Sequence, residues 1–249
     1  HAREADVALP RPIEDRREFV PLVIVAGTTT REALAAEYRG LLADAERLYR
    51  ERVAHATRLR DEAVRIDTPD DRLDLAFEWA KVNLDEQRVC NPDLGCGPVA
   101  GWGPSGQSTR PGFGWFFGGD AAINSLAMSS AGMTTAVAEG LRFFAKYQRA
   151  DGKITHEISQ AAGQLPWFDR FPYAYYHADT TPYWIAAVWQ HWRATGDAAL
   201  VEELWPALRK AWAWCLTTET DADGIIENTT GAGGSIGVGG GDSRLHGPG

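Results

Sequence analysis

The chain has 249 residues, 44% of them hydrophobic, and a formal charge of -9 from 34 acidic against 25 basic residues. That is enough apolar content for a sizeable core, in one large domain or two small ones. With no basic block beyond pairs such as Arg16-Arg17, nucleic acid is not an expected partner, and no run of ~18 uncharged apolar residues suits a membrane span.

The opening HAREADVALPRP is charged from its first residues and shows no apolar signal core, which leaves cytoplasm and periplasm both open. Residues 17–27, REFVPLVIVAG, pair β-branched and aromatic residues with a terminal glycine, a strand signature that needs partners to form a sheet. We read 1–29 as the end of a β-sandwich-like segment. Residues 30–67 read as a long, charged linker helix with N-caps at Thr28 to Thr30, ending before TPDD. Thr68-Pro69-Asp70-Asp71 starts a more apolar and therefore more buried helix.

Asp85 to Gly118 reads as one loop rich in Gly, Pro and Ser, of a length that is usually functional. Cys90 and Cys96 flank part of it and would bridge in an oxidising compartment, but the default reading is of reduced, packed thiols. Helical stretches follow at 120–148 (broken near Gly132), 179–195 and 198–218. Between them lie KITHEI (153–158) and WFDRFPYAYYHAD (167–179). Alternating long and short connections, ATGD (194–197) among the short turns, suggest helical hairpins whose long loops gather at one end. The glycine-rich 231–249 reads as a tail.

Ten tryptophans stand out, several of them in glycine- and proline-rich loops, where flat rings beside a cleft stack on sugars. The long loops also collect Arg110, Asp120, His156, Glu157, Asp169, Arg170, His177, Asp179 and Glu227. Asp120 and Asp179 stand at loop-to-helix junctions, where a carboxylate can serve simply as an N-cap. That explains the carboxylates of WFFGGD and YAYYHAD but leaves their aromatic neighbours unexplained.

GFGWFFGGDAAINSLAMSSAG (112–132), DGKITHEI (151–158), YYHADTTPYWIAAVWQHWRATGD (175–197), LWPALRKAWAW (204–214) and DADGIIEN (221–228) occur in that order. In these segments, over about residues 70 to 228, the chain resembles the amylo-α-1,6-glucosidase, or glycogen-debranching-like, group of glycoside hydrolases. The resemblance implies a mainly all-α fold in which 68–230 forms part of an (α/α)6 toroid of helical hairpins. It implies a carbohydrate substrate, α-linked glucosides or related oligosaccharides, with no cofactor and no metal ligand.

By the same resemblance Asp120 holds sugar hydroxyls, and Asp179 lines the same pocket. Gly119 stands where the group usually carries arginine, which leaves Arg110 or Arg170 to replace it. Trp102, Trp115, Trp167, Tyr176, His156 and His177 complete the expected substrate-binding set. Glycoside hydrolysis needs one carboxylic acid to protonate the leaving oxygen and a second carboxylate to activate water or attack, ~6.5–9.5 Å apart in inverting enzymes. Position favours Glu227 as the acid, with Glu157 and Asp179 as the alternatives for the second group.

Twelve helices close such a toroid, and the sequence offers about half that number. The expectation is therefore a half barrel with open apolar faces, associating as a homo-oligomer. Two other classes remain open: a non-catalytic carbohydrate-binding remnant, and a metal-dependent phosphate or sulfate ester hydrolase built on His156, Glu157, His177, Asp179 and Asp120.

Overall fold

The structure is a computed structural model that describes residues 20–27, 29–103, 112–219 and Gly224. Among them the protein is mainly helical, with seven α-helices, of which α5 (Trp167–Arg170) is a single turn, and two two-stranded sheets. The chain divides into two compact units, residues 1–58 and 59–249.

In the first unit, residues 20–27 form no strand, contrary to the expectation for 17–27. Their β-forming side chains have no ladder partner among the described residues, and Leu22 and Ile24 are exposed. Helix α1 (Arg31–Glu62) starts where Thr30 Oγ1 accepts from the Ala33 amide at 3.2 Å. It has no buried residue, and its helical state rests on same-face pairs such as Arg47 with Asp44 and Glu51, at 2.8 and 2.7 Å.

In the second unit, Asp70 caps α2 (Asp71–Asp85) by accepting from the Arg72 amide at 3.0 Å. α2 is more buried than α1, as its more apolar sequence suggests, but only modestly: Leu73, Leu75 and Trp79 are exposed, and its one fully buried residue is Lys81. Lys81 Nζ donates to the Val64 carbonyl at 2.9 Å and pairs with Glu78 at 2.9 Å, so a satisfied cation anchors this helix.

The segment read as a single loop contains a hairpin, β1 (Arg88–Asn91) and β2 (Gly95–Pro98), antiparallel with Cys90 opposite Cys96. The two cysteines, set directly opposite each other by the hairpin register, form a disulfide, which corrects the reading of reduced thiols. β2 lies on α4 (Thr134–Lys146): a methyl group at Gly97 would sit 2.6 Å from the Phe143 ring. The hairpin tip is held by the Leu94 carbonyl, which accepts from Lys146 Nζ at 3.0 Å and Tyr147 Oη at 2.7 Å.

The core is built from two helical hairpins. The first joins α3 (Gly118–Ser130) to α4 through Gly132, whose positive φ of 84° suits glycine. The second joins α6 (Thr180–Thr195) to α7 (Ala198–Leu216) through Gly196, with φ 71°, followed by the N-cap Asp197. α3 packs chiefly on α6, and α4 on α6 and α7. Phe144, Leu141, Trp184, Leu200 and Ala211 fill the space between them, with the Trp184 indole donating to the Leu141 carbonyl at 3.2 Å. The all-α expectation holds at this level, and the short turns fall where ATGD and Gly132 suggested.

Reduction of the disulfide, or the Cys90→Ser/Cys96→Ser pair, is expected to cost about 2 kcal/mol, because the closed loop is short. That corresponds to a fall in melting temperature of a few degrees, read by thermal unfolding with and without reductant. An unchanged melting temperature would contradict it.

Candidate active site

The glycine-threaded stretch resolves into a packed entry to α3. Backbone bonds from Ala100 to Trp115 (3.1 Å) and from Gly101 to Phe113 (3.2 Å) lay residues 113–115 along 100–101. Phe116 and Phe117 form β3 (Phe116–Phe117), paired with β4 (Glu157–Ile158) in the register Phe116 to Ile158 and Phe117 to Glu157. The next amide, Gly118, donates to the His156 carbonyl at 2.8 Å. Phe116 and Phe117 are thus core rings, whereas Phe113 is exposed.

Gly118 is required by contact. A methyl group there would lie 2.3 Å from the Thr155 carbonyl oxygen and 2.6 Å from Thr180 Cγ2. One at Gly119 would sit 3.7 Å from Thr180 Oγ1. The first turns of α3 and α6 therefore meet, and the two carboxylates flank this meeting point: Asp120 follows Gly119, and Asp179 precedes Thr180. Neither acts as a helix cap. Asp120 is the third residue of α3, whose N-cap position belongs to Phe117, and Asp179 occupies the N-cap position of α6 without a side-chain cap hydrogen bond.

The segment 153–158 is laced to the loop before α6. The Ile154 amide donates to Thr181 Oγ1 at 3.0 Å, Thr155 Oγ1 to the Ala174 carbonyl at 2.7 Å, and the His156 amide to the same carbonyl at 2.7 Å. This lacing stacks the imidazoles of His156 and His177 with ring centres 3.8 Å apart and planes 17° from parallel. Each ring has a carboxylate beside it: His156 Nε2 is 3.8 Å from Glu157 Oε2, and His177 Nδ1 is 3.8 Å from Asp179 Oδ1. Phe117 meets His156 edge-on.

Five expected site residues thus gather around one place: Asp120, His156, Glu157, His177 and Asp179. Their depths differ. Asp120 is exposed and Asp179 partly so, while the Glu157 side chain is 1% exposed and lies beneath the surface. Tyr176 is buried beside His177. Trp167, expected as a sugar-facing ring, belongs to the core: it stacks on Phe171 at 4.8 Å, meets Trp115 edge-on at 5.4 Å and donates to the Glu157 carbonyl at 2.8 Å. Trp102 is largely exposed, with its indole donating to the Glu86 carbonyl at 3.1 Å. Arg110 and Glu227 lie outside the described residues. Among the described residues no three His, Cys, Asp or Glu side chains are grouped to hold a metal ion.

Sequence reasoning missed Lys153, which lies in the same segment and is fully buried. Its Nζ is 4.8 Å from the Trp214 ring centre and 3.4 Å from the Tyr176 carbonyl oxygen. Burial pushes its pKa down to about 7, helped by the nearby positive charge of Arg149 and opposed by the negative charges of Asp151 and Asp179. The field of Asp179 thus reaches this lysine. Its setting in DGKITHEI, between Gly152 and Ile154, carries no signal that separates it from an ordinary surface lysine.

The unfolded chain keeps the Lys153 proton up to its ordinary pKa of 10.5, whereas the folded protein releases it near 7. Stability from this group therefore rises with pH between those values, by roughly 1 kcal/mol per unit, and the full cost is present below 7. Lys153→Met is expected to remove that slope and to stabilise the protein at neutral pH. Urea unfolding at several pH values reads this, and identical slopes in both proteins would contradict it. Gly118→Ala is expected to lose ~2 kcal/mol or more through the clash with Thr155, measured as a lowered melting temperature; an unshifted melt would contradict the contact.

No protein-family model matches the chain, and no curated protein matches it.

Proposed function

We propose that the protein is glycoside hydrolase-like and handles α-linked glucosides or related oligosaccharides where α3 and α6 begin. The observation that carries this reading is the approach of the first turns of α3 and α6, which sets Asp120 and Asp179 on either side of the Gly119 to Thr180 contact. Two accessible carboxylates at adjoining helix starts, close to two imidazoles, suit both hydroxyl binding and proton transfer.

In this reading Asp120 accepts hydrogen bonds from sugar hydroxyls and Asp179 serves as one member of the acid and base pair. Glu157, buried below His156, is a positioning residue for that imidazole, since a substrate does not reach it. Glu227 is the proposed partner acid, on the strength of its place in the sequence. With Trp167 assigned to the core, the exposed Phe113 and Trp102 are the stacking surfaces in this reading. Binding without turnover is the second reading, favoured by the burial of Glu157, which leaves fewer accessible carboxylates for chemistry.

The test incubates the protein with maltooligosaccharides and with an aryl α-glucoside, following released glucose and, by calorimetry, binding. Hydrolysis unaffected by a chelator is expected. Asp179→Asn should lower kcat/KM by roughly 100-fold or more, the usual scale for a general acid or base, while Asp120→Asn chiefly weakens binding. Binding with no glucose release would select the second reading, and neither binding nor release would overturn both.

A further inference from the structure

We infer that the outer face of the α6–α7 hairpin is a self-association surface whose occupant is the same face of a second copy. This rests on a part of the molecule separate from the proposed sugar site.

The two helices leave an apolar groove of about 400 Å³ between them. On α7 its lining falls at Val201, Trp205, Leu208 and Trp212, spaced four, three and four residues apart. That spacing makes one straight stripe on a helix, of the kind that seats another helix. From α6 come Trp189 and Trp192. These four indoles are 53, 46, 56 and 57% exposed for Trp189, Trp192, Trp205 and Trp212 respectively.

An indole side chain can bury up to ~250 Å², so four half-exposed rings leave roughly 500 Å² of apolar surface in water. That lies at the upper end of what a monomer exposes in one patch, and supplies more than half of the ~800 Å² per partner of a stable interface. Arg209 is the one charged residue of the lining, too few polar groups to hold a hydroxyl-rich sugar. The chain's own residues 225–249 bring Ile225, Ile226, Ile236, Val238 and Leu245 among many glycines, and no Phe, Tyr or Trp to set between the indoles. A second α6–α7 hairpin brings a matching aromatic stripe. Under an antiparallel two-fold, the acidic end of that stripe, at Glu202, passes over the basic end, at Arg209, so the surface is complementary to itself.

The test is the mass of the 249-residue chain in solution, by light scattering and sedimentation at micromolar concentration. A dimer of about 55 kDa, twice the 27.3 kDa chain, is expected. The Trp205→Glu/Trp212→Glu variant should halve that mass while keeping the far-UV circular dichroism and melting temperature of the parent. A parent that stays monomeric throughout the micromolar range would overturn the inference. So would a dimer that survives the double substitution with its fold intact, or a monomer that dimerises only after residues 225–249 are removed, since that segment would then be the occupant.

Discussion

The structure of the second unit turns on a place where no side chain fits. At Gly118 the backbone of α3 approaches the Thr155 carbonyl and the Thr180 methyl so closely that even one carbon would displace them. Three segments distant in sequence meet there: the entry to α3, the residues Thr155 and His156 just before β4, and the start of α6. Because α3 and α6 also form the most extensive helix pair, the contact fixes the angle at which the two helical hairpins join. The carboxylates at 120 and 179, and the two stacked imidazoles, take their positions from that junction.

Much of the helical architecture could be read from periodicity and punctuation. The break at Gly132 and the ATGD turn were visible because a left-handed residue leaves a chemical mark: only glycine is comfortable there. The hairpin at 88–98 left no such mark. Its strands are four residues each and carry glycine and proline, so alternation has no room to appear, and its cysteines looked like any pair near a loop. Residues 20–27 show the reverse failure, β-forming side chains without a neighbouring strand among the described residues.

At the candidate site, residue type was legible and depth was not. The sequence brought Asp120, His156, Glu157, His177 and Asp179 together because their loops recur at one end of successive helices. It had no means of ranking them by exposure. Glu157 is buried within the short β3–β4 ladder, opposite Phe117, and Trp167 is buried by its stacking on Phe171 and its bond to the Glu157 carbonyl. Lys81 and Lys153 show the same limit, since each is a cation whose burial depends on a carbonyl supplied from elsewhere in the chain, Val64 for one and Tyr176 for the other.

The position of Lys153 over Trp214 has a consequence outside energetics. The indole is itself buried, and a unit charge 4.8 Å from its ring centre imposes a strong electric field on the ring's excited state. That field vanishes when the amine loses its proton. The emission of Trp214, one of the chain's ten tryptophans, is thereby coupled to the charge on a single lysine.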